Sequence, residues 1–286
     1  MSWVGKQFLR GLVRRLFKLL KRSRGERVSP WSDIAAKLER ETLIFLEENP
    51  KFRSLHVSLE RINDEQKKNW PSMVYCDGIF YQGYERIGAF GVKPSEARLQ
   101  NYDIDGYLAI DKTVLDIGGN AGFWACVISE KASTVDAVEI NPYLIQMGAE
   151  VVDFLGIENV NLVQSSFENF FPEKKYDIVF SLSNHHTIDG NLNIPFSQYI
   201  EKIYNLTEPD GLLFFESHSI RGDDSDLEEK FRIASKFFTL EKHKMVRAFY
   251  DGDIDKLFAV FRRNSEIVDS PSLEFNLGEA SVKYVF

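Results

Sequence analysis

The stretch V-L-D-I-G-G-N-A-G-F-W, Val114 to Trp124, decides how the chain is read. An apolar run with one acid, Asp116, ends in Gly118, Gly119 and Gly122 around Asn120, and two aromatic residues follow. Glycine admits positive φ and lets another group come close to the main chain. A strand, a bare turn and then a helix start is how α/β proteins hold a nucleotide-like ligand at the carboxyl edge of a sheet. The stretch therefore predicts a site for a nucleoside cofactor.

Working downstream, T-V-L-D-I-G, S-T-V-D-A-V-E-I, V-N-L-V-Q-S-S, Y-D-I-V-F-S-L-S-N and G-L-L-F-F-E-S-H-S read as buried parallel strands. Helical patterns fall between them near 121–131, 142–155, 196–205 and 224–236. The alternation predicts a doubly wound α/β sheet with helices on both faces. Two more strands, at about 240–249 and 256–263, flank the short connection Y-D-G-D-I-D and should pair antiparallel. The expectation is a mostly parallel seven-stranded sheet closed by an antiparallel C-terminal hairpin. That is not the usual dinucleotide-binding layout, and Asn120 and Phe123 both stand where G-x-G-x-x-G requires glycine.

Upstream the chain changes character. Nine cations face one acid, Glu26, in residues 1–27, a net charge of +8; with −8 overall, the rest carries −16. Val4, Phe8, Leu12, Leu16 and Leu20 recur every four residues, as do Lys6, Arg10, Arg14 and Lys18, with Trp3 near the start. This predicts a basic amphipathic helix over 1–27 able to lie in an anionic membrane interface. Packing on the body or a partner, and a transit peptide, are the competing readings; cations interrupt the apolar run too often for a secretory signal. A second helix is expected to run from a cap at Ser32 or Asp33 to about Asn49, ended by Pro50. The aromatic, turn-rich remainder of 28–94 reads as a cap or lid more than a second core, with Tyr75, Tyr81 and Tyr84 helping to close a pocket. A short helix follows from Ser95, and residues 265–286 form a C-terminal tail.

Composition bounds the rest. Apolar residues at 44% and charged residues at 27% are ordinary for a soluble globular protein. Two cysteines, Cys76 and Cys126, make neither a disulfide framework nor a metal-ligand spacing, so a reducing cytoplasm is expected. No run of about 18 apolar residues predicts a membrane span. An acidic body is a poor partner for nucleic acid.

Over residues 95–264 the sequence resembles the class I S-adenosylmethionine-dependent methyltransferases. The resemblance rests on D-I-G-G-N-A-G from Asp116, V-E-I-N-P with Glu139, F-S-L-S-N-H-H with Ser181, and the terminal hairpin. It implies a Rossmann-like fold, methyl transfer and S-adenosylmethionine as cofactor. Gly118, Gly119, Asn120 and Gly122 would leave room for the methionine portion, although the family often has glycine where Asn120 stands. Asp116 would accept from the cofactor amine, and Glu139, 17 residues after Gly122, would take the ribose hydroxyls. Ser166 and Phe167 stand where the family often has an acid reading adenine. Ser181 joins the cofactor set, and Arg98 would pair with the cofactor carboxylate or an anionic substrate, against a surface salt bridge as the plainer reading.

Methylating an alcohol usually needs a base, and histidine titrates in the right range. Three of the five histidines fall at strand ends on the expected active edge: His185 and His186 after the fourth strand, and His218 after the fifth. His185 is the first choice and His218 the second; one of the adjacent pair should be only a loop or core residue. Glu216, two residues before His218, would orient a histidine or bind a substrate hydroxyl. His56 and His243 should be structural or exposed. No metal is expected, because no pair has the helical spacing of a zinc site. A loose likeness to bacterial enzymes acting on sugars and surface polysaccharides favours O-methylation of a hydroxylated metabolite, sugar or lipid-linked glycan near the cytoplasmic membrane face. A tRNA wobble-uridine enzyme, suggested by Y-Q-G and S-E-A-R-L-Q-N-Y, and a silent cofactor-binding scaffold are the alternatives.

Overall fold

The computed structural model describes residues 31–71, 80–186, 192–247 and 253–282. The chain divides into two compact units, Met1–Pro94 and Ser95–Phe286. The amphipathic segment 1–27, Tyr75 and Cys76 lie outside the described residues.

In the first unit, α1 (Trp31–Glu48) and α2 (Arg53–Asn69) are joined by a 3-10 turn at Pro50–Phe52. Helix α1 begins at Trp31, so Ser32 and Asp33 lie within its first turn and not ahead of it as the expected cap. Helix α2 was not anticipated. Its buried Leu55, Leu59, Ile62 and Gln66 keep helical spacing, and Lys67 and Lys68 suit the carbonyl end of its dipole. Strands β1 (Phe80–Gly83) and β2 (Gly91–Pro94) form a short parallel pair. The turn between them is held by both helices: Thr42 Oγ1 donates to Gly88 O at 3.1 Å, and His56 Nε2 meets Ile87 O at 2.8 Å. Leu38, Leu46, Phe52, Leu59 and Ile87 are buried, so the stretch expected to be a cap or lid buries apolar side chains of its own. Tyr84 is buried in this unit, and Tyr81 half-buried.

The second unit opens with α3 (Ser95–Tyr102) and then alternates as expected: β3 (Thr113–Ile117), α4 (Phe123–Ser129), β4 (Thr134–Glu139), α5 (Pro142–Leu155), β5 (Val160–Gln164), β6 (Tyr176–Leu182), α6 (Phe196–Leu206), β7 (Thr207–Glu216), α7 (Leu227–Ala234), β8 (Phe238–Arg247), β9 (Ile254–Arg263) and α8 (Leu277–Val282). The seven-stranded sheet has the order β5-β4-β3-β6-β7-β9-β8. All neighbours pair parallel except β9, which runs antiparallel to both β7 and β8.

Successive side chains point to opposite faces of a strand, and here both faces are apolar. Leu115, Ile117, Val179, Leu213 and Phe215 pack with Tyr199, Ile203, Leu227 and Phe231 of α6 and α7. Val114, Ile178, Phe180, Leu212 and Phe214 pack on the other side with Tyr102, Trp124 and Ile128 of α3 and α4. This is the doubly wound architecture the strand pattern implied. Beyond β9 the chain returns to the first of these layers through Leu273, Phe275 and Leu277, and Leu277 N donates to Glu228 on α7 at 2.6 Å.

Candidate active site

The carboxyl ends of β3 and β4 make the first half of the site. Past Ile117 the backbone turns through left-handed conformations at Gly118 (φ +66°) and Asn120 (φ +54°). Asparagine tolerates that region better than most residues, so Asn120 makes the turn that a glycine would make. At Gly119 the constraint is space: a Cβ there would sit 2.9 Å from the Ala137 side chain. Gly122 follows at φ +70° and leads into α4. Glu139, at the end of β4, accepts from the backbone amides of Asn120 (3.0 Å) and Asn141 (2.8 Å). Asp116 is 3% exposed, and its Oδ2 has no hydrogen-bond partner. Burial pushes its pKa up to about 7, Arg98 opposing the rise and Glu139 adding to it.

A buried bridge connects this half to the end of β6. Ser181 Oγ and Tyr199 OH both donate to Asn184 Oδ1, at 2.9 and 2.8 Å, and Asn184 Nδ2 donates to Ile117 O. The Asn184 side chain also stands against Gly118, where a Cβ would meet it at about 3.0 Å. Sequence reading included Ser181 and passed over Asn184, although it lies inside the quoted S-L-S-N-H-H. Ser166 caps the 3-10 turn after β5, accepting from Asn169 N at 3.3 Å and Asn169 Nδ2 at 3.0 Å. Phe167 is buried, edge-on to Tyr199 at 5.2 Å, with the Lys202 ammonium over its ring at 5.0 Å.

The second half gathers at the ends of β6 and β7. His185 is buried and His186 exposed. The His185 ring packs on Phe215 (4.7 Å between centroids), Phe196 (5.6 Å) and His218 (5.0 Å), and His186 lies 5.7 Å from His218. The carboxylate on His185 is Asp224, whose Oδ1 meets Nε2 at 3.0 Å. Burial lowers the His185 pKa despite that carboxylate. Burial, then His185 and Lys256, take His218 down to about 3. His185 Nδ1 and His218 Nε2 are buried without a hydrogen-bond partner.

Asp224 was not foreseen; it is the carboxylate that meets His185, while the contacts of Glu216, expected to orient a histidine or bind a substrate hydroxyl, lie with other residues. Strand β7 ends at Glu216, so His218 does not continue its alternation. Glu216 instead turns to the α3 face. It accepts from Tyr102 OH and from Ser183 Oγ (2.5 Å), and lies 3.6 Å from both Arg98 and Lys256. Arg98 Nε donates to Tyr102 OH at 3.0 Å, and its guanidinium stands over the Tyr102 and Trp124 rings. With a side chain 11% exposed, Arg98 is no surface pair. Lys256 Nζ donates to Ser183 Oγ at 2.6 Å, and Ser183 itself takes a positive φ of 56°. His56 is buried in the first unit, and His243 is exposed on β8 against Phe275. Among the described residues no three His, Cys, Asp or Glu side chains are grouped to hold a metal.

Residues 92–259 match the family model described as a methyltransferase domain, and the chain belongs to that family. Two curated relatives from Ilyobacter polytropus carry the names malonyl-[acyl-carrier protein] O-methyltransferase 1 and 2. The first is 24% identical over 45% of this chain and 48% of its own length; the second is 27% identical over 46% and 52%. The chain thus spans about half the length of the curated relatives it matches. Among solved structures, the N-methyltransferase NodS from Bradyrhizobium japonicum in complex with S-adenosyl-L-homocysteine shares the fold, with a TM-score of 0.51 and 15% identity over 75% of this chain and 99% of NodS.

The class is therefore an S-adenosylmethionine-dependent methyltransferase domain of class I. Its own residues fit that cofactor: an unpartnered buried carboxylate oxygen on Asp116, a close-approach backbone at Gly118 and Gly119, and an oriented carboxylate on Glu139.

Proposed function

We propose that this protein transfers a methyl group from S-adenosylmethionine to a hydroxyl oxygen of a small metabolite, sugar or lipid-linked glycan. His185 Nδ1 carries the reading: it is a ring nitrogen buried at the active edge, beside Asn184, with no partner of its own. When bound, S-adenosylmethionine supplies an electrophilic methyl group. Gly118, Gly119, Asn120 and Gly122 give the methionine portion its bed. Asp116 accepts from the amine, and Glu139 accepts from the ribose hydroxyls. Ser166, Phe167 and Ser181 border the remainder, with Arg98 and Glu216 beside it as a paired, charge-compensated group. His185 takes the acceptor proton at Nδ1, and the low pKa of its imidazole keeps it neutral and ready at physiological pH. The His218 ring packs beside it, and the exposed His186 ring beside His218.

A free carboxylate acceptor, of the kind the names of the curated relatives denote, carries no proton at neutral pH and needs no base. The experiment follows from that difference. Purified protein and methyl-labelled cofactor are offered a hydroxylated sugar panel, a lipid-linked glycan fraction and malonyl thioesters. Label in a base-stable ether on a hydroxylated acceptor supports the reading. Label only in base-labile ester on the thioester overturns it.

The same proposal places the enzyme at the inner face of a membrane, held by residues 1–22 with Lys6, Arg10, Arg14 and Lys18 toward anionic headgroups. Each cation near such a surface contributes about 1 kcal/mol. Among the described residues no helix is long and apolar enough to cross a membrane. Flotation with anionic liposomes at low and high salt tests it, comparing the full chain with a version starting at Arg27. Equal flotation of the two, or none for the full chain, rules the tether out.

A further inference from the structure

Asp224 is fully buried in the loop between β7 and α7, yet each of its oxygens is engaged. Oδ1 meets His185 Nε2 at 3.0 Å and accepts from Lys230 Nζ, the two lying 2.5 Å apart. Oδ2 accepts from the backbone amide of His218 at 2.6 Å. The loop supports this placement, since Asp224 N donates to Ser219 O at 2.9 Å and Ser217 N to Leu257 O at 2.9 Å. Lys230 is itself shared with Asp226, 2.7 Å away.

The protonation of the pair follows from this inventory. Burial alone would raise the Asp224 carboxyl, but the bonds from His185 and Lys230 outweigh it and hold the group well below the usual carboxylate range. An ionised carboxylate only accepts hydrogen bonds. The hydrogen between the two residues therefore sits on His185 Nε2. In a neutral imidazole the other nitrogen is then a bare acceptor, and that nitrogen is the unpartnered Nδ1. In the opposite tautomer two lone pairs would face each other across 3.0 Å, and Nδ1 would hold a hydrogen with nothing to receive it.

We propose that Asp224 is a positioning residue: it fixes His185 in the tautomer that leaves Nδ1 bare, and pins His218 beside it through the backbone. This rests on the reading of His185 as the base in the proposed function, and goes beyond it by naming the group that makes His185 usable. Asp224 touches neither acceptor nor cofactor; it acts through the two histidines. The groups that face His185 from all sides are Asp224, Lys230, His186 and His218. Of these only Asp224 favours the protonated ring, while Lys230 and His186 oppose it.

The test needs no acceptor. The full chain, with its histidine ring nitrogens labelled by ¹⁵N, carries only five histidines, and His185→Gln assigns the signal of interest. Long-range ring correlations at neutral pH should show a protonated Nε2 and a bare Nδ1. In Asp224→Asn that single tautomer should be lost, and the titration midpoint of His185 should move to lower pH, because the one favourable charge is gone. In Lys230→Met the tautomer should survive and the midpoint should move to higher pH. A loop that had merely loosened would carry both variants upward, toward ordinary imidazole. A hydrogen on Nδ1 in the parent protein, or an unchanged tautomer in Asp224→Asn, overturns the proposal. If Asp224→Asn does not fold, the parent tautomer and its survival in Lys230→Met still decide it. An acceptor assay that fails to find O-methylation would sink the functional reading and leave the tautomer result intact.

Discussion

Asp116 and Asp224 are both buried carboxylates at the same edge of one sheet, 3% and 0% exposed, and the protein treats them in opposite ways. Asp224 receives a ring N–H, an ammonium and a backbone N–H, and is held ionised. Asp116 has one oxygen without any partner, and burial raises it to about 7. An unsatisfied buried polar atom costs about 1–3 kcal/mol, so a fold keeps one where something else is to supply the partner. The engaged carboxylate shapes the protein's own side chains; the bare one awaits a ligand. In the proposed function, two environments acting on one residue type separate the acceptor end of the site from the cofactor end.

The largest expected effect breaks the acceptor end alone. His185→Gln should lower turnover by about 10²–10⁴ while the cofactor dissociation constant, measured by calorimetry, stays within error. Because burial holds the imidazole below its ordinary range, the acid limb of the parent's kcat/KM profile should fall below pH 6.5. Full turnover in His185→Gln would mean that the acceptor needs no protein base.

Next comes the cofactor end. Glu139→Ala should weaken S-adenosylmethionine by about 1–3 kcal/mol, the scale for hydrogen bonds to a charged group. It also frees the Asn120 and Asn141 amides that hold the loop. S-adenosylhomocysteine should weaken in parallel, since both ligands share the ribose. A change confined to turnover would contradict the division between the two ends.

The pH behaviour of Asp116 sharpens the comparison further. With the cofactor ammonium on the ionised carboxyl, as proposed, cofactor affinity should fall as pH drops below about 7, by at most about tenfold per pH unit, and level off above. The ligand-free protein should show the reverse trend. A carboxyl whose folded pKa is raised from 3.8 to about 7 favours the fold fully below pH 3.8, and that contribution is lost as pH rises through 7. Asp116→Asn should flatten both dependences and stabilise the ligand-free protein at pH 8, as read by thermal melts. A parent whose cofactor affinity does not change between pH 6 and 8 would place the amine elsewhere.

The two ends also differ in how far the sequence discloses them. Asp116, Gly118, Gly122 and Glu139 lie on adjacent strands and the turns that leave them, so strand order and spacing bring them together directly. The buried parallel strands were equally plain, because both their faces are apolar. Asp224 is 39 residues from His185 and meets it only through a loop that folds back after β7. Nothing local in G-D-D-S-D distinguishes Asp224 from Asp223 or Asp226, yet only Asp224 is buried. Glu216 looked like the histidine's partner because it stands two positions before His218, a spacing that stopped mattering when the strand ended. Helix α2 escaped notice for a different reason: its apolar stripe is thin, and the aromatic residues after it drew the reading toward a lid. Asn184 was passed over since an amide between two more reactive residues carries no signal of its own.

That amide supports the smallest prediction. Asn184 joins the end of β3 to the end of β6, and Tyr199 OH is one of two donors that orient its oxygen. Tyr199→Phe removes that donor and leaves Ser181 Oγ, at 2.9 Å, to satisfy the same oxygen. No acceptor is orphaned, so the cost should stay near that of one ordinary hydrogen bond, about 0.5–1.5 kcal/mol, read from chemical denaturation. Cofactor affinity and turnover should both hold, since the ring still packs against Phe167 and Phe196. Ser181→Ala paired with Tyr199→Phe should cost more than the two changes singly, because the Asn184 amide then loses both donors and is free to turn away from Ile117. If the double change merely adds, the two ends do not communicate through Asn184. If it also weakens the cofactor, the bridge belongs to the cofactor end and the boundary between the halves shifts from β3 to β6.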